Sequence, residues 1–345
     1  MNTSTTNQSR FDITALPLPV IQAPMAGGPS TPQLAAAVSS AGGLGFLAAG
    51  YKTADSMGAE IKAVRDLTDA PFGVNLFVPQ PPIIRPDVLE QYAHSLASDA
   101  SRLQVTLGDP RHDDDDWQNK LDVLYELAPA VVSFTFDVPE AGIITALQER
   151  GVSVTVTVTS RAEAKLAMAA GADMLCVQGP EAGGHRGTFD PTAPAGVTPL
   201  HVLLNDLSSL EIPLIAAGGI VTGADTRAAL SRGAVAVQAG TAFLRADEAG
   251  TGAVHRAALS SGQFTTTAVT KAFSGRYARG LYNDFMRQHD PEAPFGYPEI
   301  HHLTRPLRAA AAGAGDSHRV NLWAGTGFNR SMVGSARSIL ARLAT

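Results

Sequence analysis

Residues Pro213–Thr241 read PLIAAGGIVTGADTRAALSRGAVAVQAGT. Leu214–Ala217 predicts a short apolar strand, Gly218-Gly219 a break, and Val235–Gln238 a second strand that runs into Gly240-Thr241. Between the strands, Thr222 is a helix N-cap and Gly233 follows the last turn, so both helix ends carry recognised signals. Glycine lets backbone N–H groups approach an anion, and a helix N-terminus adds partial positive charge. Two such strand ends side by side make a phosphate cradle; the bland alternative is that the glycines serve only tight turns. Late in a repeating strand–helix chain, such a cradle belongs to the loops after strands seven and eight of a (β/α)8 barrel.

Working outward, Val20–Ala23, Leu44–Ala48, Phe72–Val78, Val131–Phe136, Val152–Val158 and Asp173–Gln178 read as six earlier strands. They are apolar without polar alternation and are separated by helical stretches, the pattern of a parallel sheet covered by helices. The count reaches eight, and no early G-x-G-x-x-G supports an open doubly wound sheet. The expected class is α/β, a (β/α)8 TIM barrel with an appended, mainly helical C-terminal segment. Its parts are an N-terminal arm over 1–17, loosely attached, and a barrel over 18–244. A helical lid or substrate segment over 245–328 follows, then a C-terminal helix over 329–345 that returns to the barrel. The long crossover 79–129 predicts two helices around the run Asp113–Asp116. Adjacent aspartates cannot all face one ion, so the run reads as a solvated acidic loop and no metal site is expected.

The chain has 345 residues, a formal charge of -6 and one cysteine. No basic footprint points to nucleic acid. Cys176, inside ADMLCVQG, reads as a reduced core residue. The polar N-terminus has no apolar signal core, and no stretch is long and apolar enough for a membrane. The expected location is cytoplasmic.

In a barrel of this kind the site lies at the C-terminal strand ends. Those ends carry Ala23-Pro24-Met25, Asn75, Gln178, Gly218-Gly219 and Gln238-Ala239-Gly240-Thr241. Side-chain amides both donate and accept, which suits the edge of a flat heterocycle, although they could equally satisfy nearby backbone. With the phosphate cradle, the ligand suggested is a mononucleotide with a planar ring, and FMN is the natural candidate. The loop Gly179–Gly187, GPEAGGHRG, places one imidazole, His185, at the mouth, where it can exchange a proton near neutral pH. Glu181 and Arg186 are expected to hold this loop through backbone or each other. His301 and His302 lie in the appended segment, where they could cover the site.

QAPMAGG (22–28), FGVNLF (72–77), VQGPEAGGHRG (177–187), AAGGI (216–220) and QAGTAF (238–243) together resemble the nitronate monooxygenases, formerly 2-nitropropane dioxygenases. GRYARGLYNDF and LWAGTGF extend the resemblance over nearly the whole chain, and are similar to the first class, which uses oxygen without a nicotinamide. The resemblance implies FMN at Ala23–Met25, Asn75, Gln178, Gly183, Gly218 and Gln238–Thr241, with His185 as the catalytic histidine. It implies oxidation of alkyl nitronates, such as propionate 3-nitronate, by O2 to a carbonyl compound and nitrite, through one-electron transfer to the flavin. His185 would place the anion, and would act as a base only for neutral nitroalkanes. VQGxEAGGH and AAGGI are shared with flavin-dependent enoyl-acyl-carrier-protein reductases, so an NAD(P)H-dependent flavin reductase of the enoyl or quinone type is the alternative. The implied partners are a nitronate and O2, with a homodimer left open.

Overall fold

The computed structural model describes residues 10–345. Eight parallel strands form the central sheet: β1 (Val20–Gln22), β2 (Gly45–Ala48), β3 (Phe72–Phe77), β4 (Val131–Thr135), β5 (Ser153–Val158), β6 (Met174–Gln178), β8 (Leu214–Ala217) and β9 (Ala234–Ala239). The two-residue β7 (Gly184–His185) lies between β6 and β8 in the chain but belongs to another sheet. Spatial order is β1-β9-β8-β6-β5-β4-β3-β2. A parallel bridge between Ile21 and Leu44 brings the two end strands together. This is the expected (β/α)8 barrel. Strands β2, β4 and β5 are buried almost throughout because helices cover their outer faces while side chains fill the interior.

Register places the candidate residues side by side. Asn75 of β3 is level with Ser133, Gln178 of β6 with Ala217, and Ala217 in turn with Gln238 of β9. A glycine is needed where helix meets strand: a Cβ on Gly45 would lie 2.0 Å from the Ala35 carbonyl oxygen in helix Pro32–Ser40.

Four features differ from the expectation. Residues 1–9 lie outside the described residues, but the rest of the arm is packed, not loose. Ile13 is buried with Phe46, Val131, Met174, Ile215 and Ala236 and plugs the barrel end opposite the candidate site. Burying such a side chain contributes about 2 kcal/mol, which outweighs the few rotamers it gives up. A helix, Leu200–Leu207, sits between β6 and β8 where only a loop was read. The appended segment is not simply helical: β10 (Thr267–Thr270) and β11 (Ala278–Leu281) form an antiparallel hairpin that adds β7 as its third strand.

The acidic run is the fourth. Asp114 is exposed, but Asp115 accepts from the Tyr51 amide and pairs with buried Lys120, while Asp116 accepts from the Ala54 amide at the start of a helix. Burial pushes the Asp115 carboxyl up to about 6. The run therefore anchors the loop after β2. No metal-binding cluster occurs among the described residues. The last helix, Ala336–Ala344, packs through Ile339, Leu340 and Leu343 into the main outer core. Among the described residues no helix is long and apolar enough to cross a membrane.

Candidate active site

A cavity of about 480 Å³ opens at the C-terminal ends of the strands. Ala23, Pro24, Met25, Asn75, Gln178, Gly183, His185, Gly218, Gly219, Gln238, Ala239, Gly240 and Thr241 all line it.

The cradle is built differently from the simple helix-end picture. Thr222 caps helix Gly223–Leu230, and Asp225 returns the bond in a capping box: its carboxylate accepts from the Val221 and Thr222 amides. That helix end is thus already occupied by its own acid, which also pairs with Arg330. What is left for an anion is the pair of turns before it. Gly218 (φ +119) and Gly219 (φ +72) follow β8, and Gly240-Thr241 opens a 3-10 turn after β9. The amides of Gly219, Gly240 and Thr241 donate to no protein acceptor among the described residues. Orphan amides converging on one cavity are the requirement for holding a phosphate.

The strand-end amides divide. Asn75 gives its NH2 to Ser133 and Thr135, leaving its carbonyl oxygen without a protein donor. Gln238 makes only a 3.3 Å contact to the Cys176 sulfur. Gln178 is the exception to the expectation that these amides face a ring edge. It donates to the His185 carbonyl at 3.0 Å and accepts from the Gly187 amide at 2.9 Å, so it holds the histidine loop. Gly183 is set by packing: a Cβ there would meet the Ala324-Gly325 backbone at 2.5 Å. Cys176 is buried as expected, and burial pushes its thiol up to about 12, so it is inert in the cavity wall.

Several bonds fix His185. Its β7 backbone pairs with Ala278, and the Arg186 amide donates to the Tyr277 carbonyl. Arg186 reaches the carbonyls of Gly179, Gln178 and Ala195, while the Glu181 carboxylate takes the Leu200 amide, so both hold the loop through backbone. The His185 ring sits among Phe136, Tyr297 and Trp323, with centroids 5.6–5.8 Å away. Nε2 lies 2.8 Å from the Ser274 hydroxyl, which itself donates to the Arg276 carbonyl. Ser274 thus engages Nε2, and Nδ1 is the ring nitrogen with no protein partner among the described residues. Burial, helped by Arg276 and Arg308, pushes the imidazole down to about 3. His185 is therefore neutral over the ordinary pH range.

Sequence reasoning did not identify Tyr51, Ser274, Tyr297, Arg308 or Trp323. Tyr51 stacks on His301 at 4.0 Å, so His301 does reach the cavity; His302 instead pairs with Asp113 at 2.8 Å outside it. The usable signal was spacing: His301 and Arg308 are two turns apart on helix Glu299–Gly313 and share a face.

A family model for nitronate monooxygenase matches residues 10–345. The chain belongs to the nitronate monooxygenase family. A nitronate monooxygenase of Pseudomonas aeruginosa is 43% identical over 328 residues, covering 90% of each chain. A probable nitronate monooxygenase of Staphylococcus saprophyticus is 39% identical, covering 89% of this chain and 88% of that one. Among solved structures, the nitroalkane oxidase of Streptomyces ansochromogenes superposes with TM-score 0.92 at 49% identity over 95% of both chains. FabK of Thermotoga maritima superposes with TM-score 0.73 at 28% identity, covering 96% of this chain and 93% of that one. Membership of the nitronate monooxygenase family makes the protein an oxidoreductase.

The buried histidines give a pH prediction. His185 and His255 are pushed down to about 3 and about 4, from an ordinary value of 6.5. The unfolded chain takes up these protons near pH 6.5, and the folded one only near 3 to 4. Stability should therefore fall as pH drops from 6.5 toward 4. Melting temperatures at pH 7 and pH 5 check this; a higher value at pH 5 contradicts it. The dependence of kcat/KM on pH, which reports the free enzyme, should show no His185 limb near 6.5.

Proposed function

We propose that the protein binds FMN in this cavity and uses O2 to oxidise alkyl nitronates, such as propionate 3-nitronate, to a carbonyl compound and nitrite. The observation that carries the reading is the orphan amides of Gly219, Gly240 and Thr241, which line the same cavity as His185. Gly218 and Gly219 shape the first turn, and Gly240-Thr241 the second. Asn75 and Gln238 present amide oxygens toward a polar ring edge, while Ala23-Pro24-Met25 and Ala239 supply the apolar wall. Gln178 and Gly183 act through the histidine loop.

When bound, FMN supplies the one-electron chemistry that leads from the nitronate, through radicals, to reaction with O2. The protein binds, orients and excludes water. His185 Nδ1 is placed to take a proton from the carbon of a neutral nitroalkane; a nitronate has already lost that proton. A cytoplasmic setting and a homodimer are compatible with this reading.

FMN-loaded protein should release nitrite from a nitronate without NADH or NADPH. The likeness to FabK makes the nicotinamide-dependent reading the competitor. Anaerobic mixing separates the two: rapid bleaching by NADPH, with none by nitronate, would overturn the proposal.

A further inference from the structure

We propose that the stacked rings of Tyr51 and His301 set the longest carbon chain the site accepts, by closing it off from a second cavity. The inference rests on the reading of the site as a nitronate oxidase and deepens it.

The second cavity has a volume of about 370 Å³. Tyr51, Phe77, Phe136 and His301 line both cavities, so the two are parted by a wall one side chain thick. The wall is continuous from His185 outward. Ring centroids are 5.8 Å apart from His185 to Phe136, 4.5 Å from Phe136 to Phe77 and 5.8 Å from Phe77 to Tyr51. It ends in Tyr51 and His301, whose rings are 4.0 Å apart and 3° from parallel. Rings in such contact leave no passage between their faces.

The backbone is strained to put these rings there. Tyr51 has φ +68 and Phe136 φ +86, a region that bulky side chains rarely enter. The Asp115 carboxylate, paired with Lys120, holds the Tyr51 amide at 2.9 Å. Arg276 lies 4.0 Å over the Phe136 ring. Gly50 lets Phe77 close in, since a Cβ there would stand 2.3 Å from its ring. Neither Tyr51 nor His301 carries charge: burial pushes the phenol up to about 12 and, with Arg308, holds the imidazole well below its ordinary value. A substrate chain therefore meets a neutral, mainly apolar stop. Behind it, Val78, Pro79 and Pro298 give the second cavity an apolar side, while Arg111, Asp114 and Arg305, which also line it, are exposed. An alkyl chain carried past Tyr51 would find apolar surface.

Tyr51→Gly is the deciding variant, because glycine is at home at φ +68 and removes the ring without straining the chain. The measurement is kcat/KM of FMN-loaded protein for ethyl, butyl and octyl nitronates. The parent should stop gaining with length before octyl. Tyr51→Gly should raise the octyl-to-ethyl ratio on the order of 50-fold, from about three methylenes newly buried at about fourfold each. Tyr51→Phe keeps the ring and should keep the parent ratio. An unchanged ratio in Tyr51→Gly, an equal shift in Tyr51→Phe, or a parent that gains steadily through octyl would overturn the proposal. Melting temperatures show whether each variant is folded; where glycine loosens the structure, His301→Ala removes the other ring and decides by the same ratio. A binding arm needs no turnover: in anaerobic, mildly acidic buffer, tryptophan fluorescence reports 1-nitrobutane and 1-nitrooctane, with Trp323 in the cavity wall. Tighter binding of only the longer compound to Tyr51→Gly supports the wall even if the parent oxidises no nitronate, which would sink the functional reading alone. An equal change for both compounds, or none, would overturn it.

Discussion

Gly218→Asp is expected to leave a gel-filtration column with little or no flavin. Gly218 has φ +119, a conformation that side chains rarely adopt, and its added Cβ would lie 3.1 Å from the Ala182 amide nitrogen. Strain of this kind costs on the order of 1–3 kcal/mol. The carboxylate adds a like charge where the phosphate should sit. At a separation of roughly 5 Å and an effective dielectric of about 20, two unit charges repel by about 3 kcal/mol. Together these weaken retention by on the order of a thousandfold. Gly218→Ala carries the strain without the charge and should keep more flavin. Flavin content of the aspartate variant equal to the parent would refute the cradle.

His185→Asn should divide two substrates that differ by a single proton. On a neutral nitroalkane the loss should reach about 100- to 1,000-fold, the ordinary contribution of a positioned general base. On the preformed nitronate it should stay below about tenfold, because no proton remains to be taken. Nitrite release from each substrate, at equal flavin content, makes the measurement. A loss of equal size on both would show that the imidazole serves the oxidation step itself. The low proton affinity of His185 has a definite source in burial and the two arginines.

Local signals carried the barrel well. Apolar runs ending in glycine or an amide marked the strands, and parallel register then had to bring Gln178, Ala217 and Gln238 abreast. His185 stood out because the glycines around it cannot form core. The chain was less informative where an element depends on a distant partner. Thr267–Thr270 and Ala278–Leu281 are each four residues long, and the hairpin gains its third strand from residues some ninety positions earlier. No local pattern announces such a pairing. Leu200–Leu207 was hidden by the proline-rich loop before it, which reads as irregular chain. The aspartate run misled because composition suggests solvent, whereas Lys120 and two backbone amides take up Asp115 and Asp116.

The backbone at 324–326 crosses the cradle mouth: the Gly325 amide donates to Thr241 Oγ1 at 2.9 Å, and the Thr326 amide to the Glu181 carbonyl at 3.0 Å. A late part of the polypeptide thus latches two early loops together. With FMN bound as proposed, the ligand and this strap should stabilise each other, so protein made without riboflavin is expected to hold its tail less firmly. Protease nicking near residue 325 in such material, suppressed by added FMN, is the trace this coupling would leave.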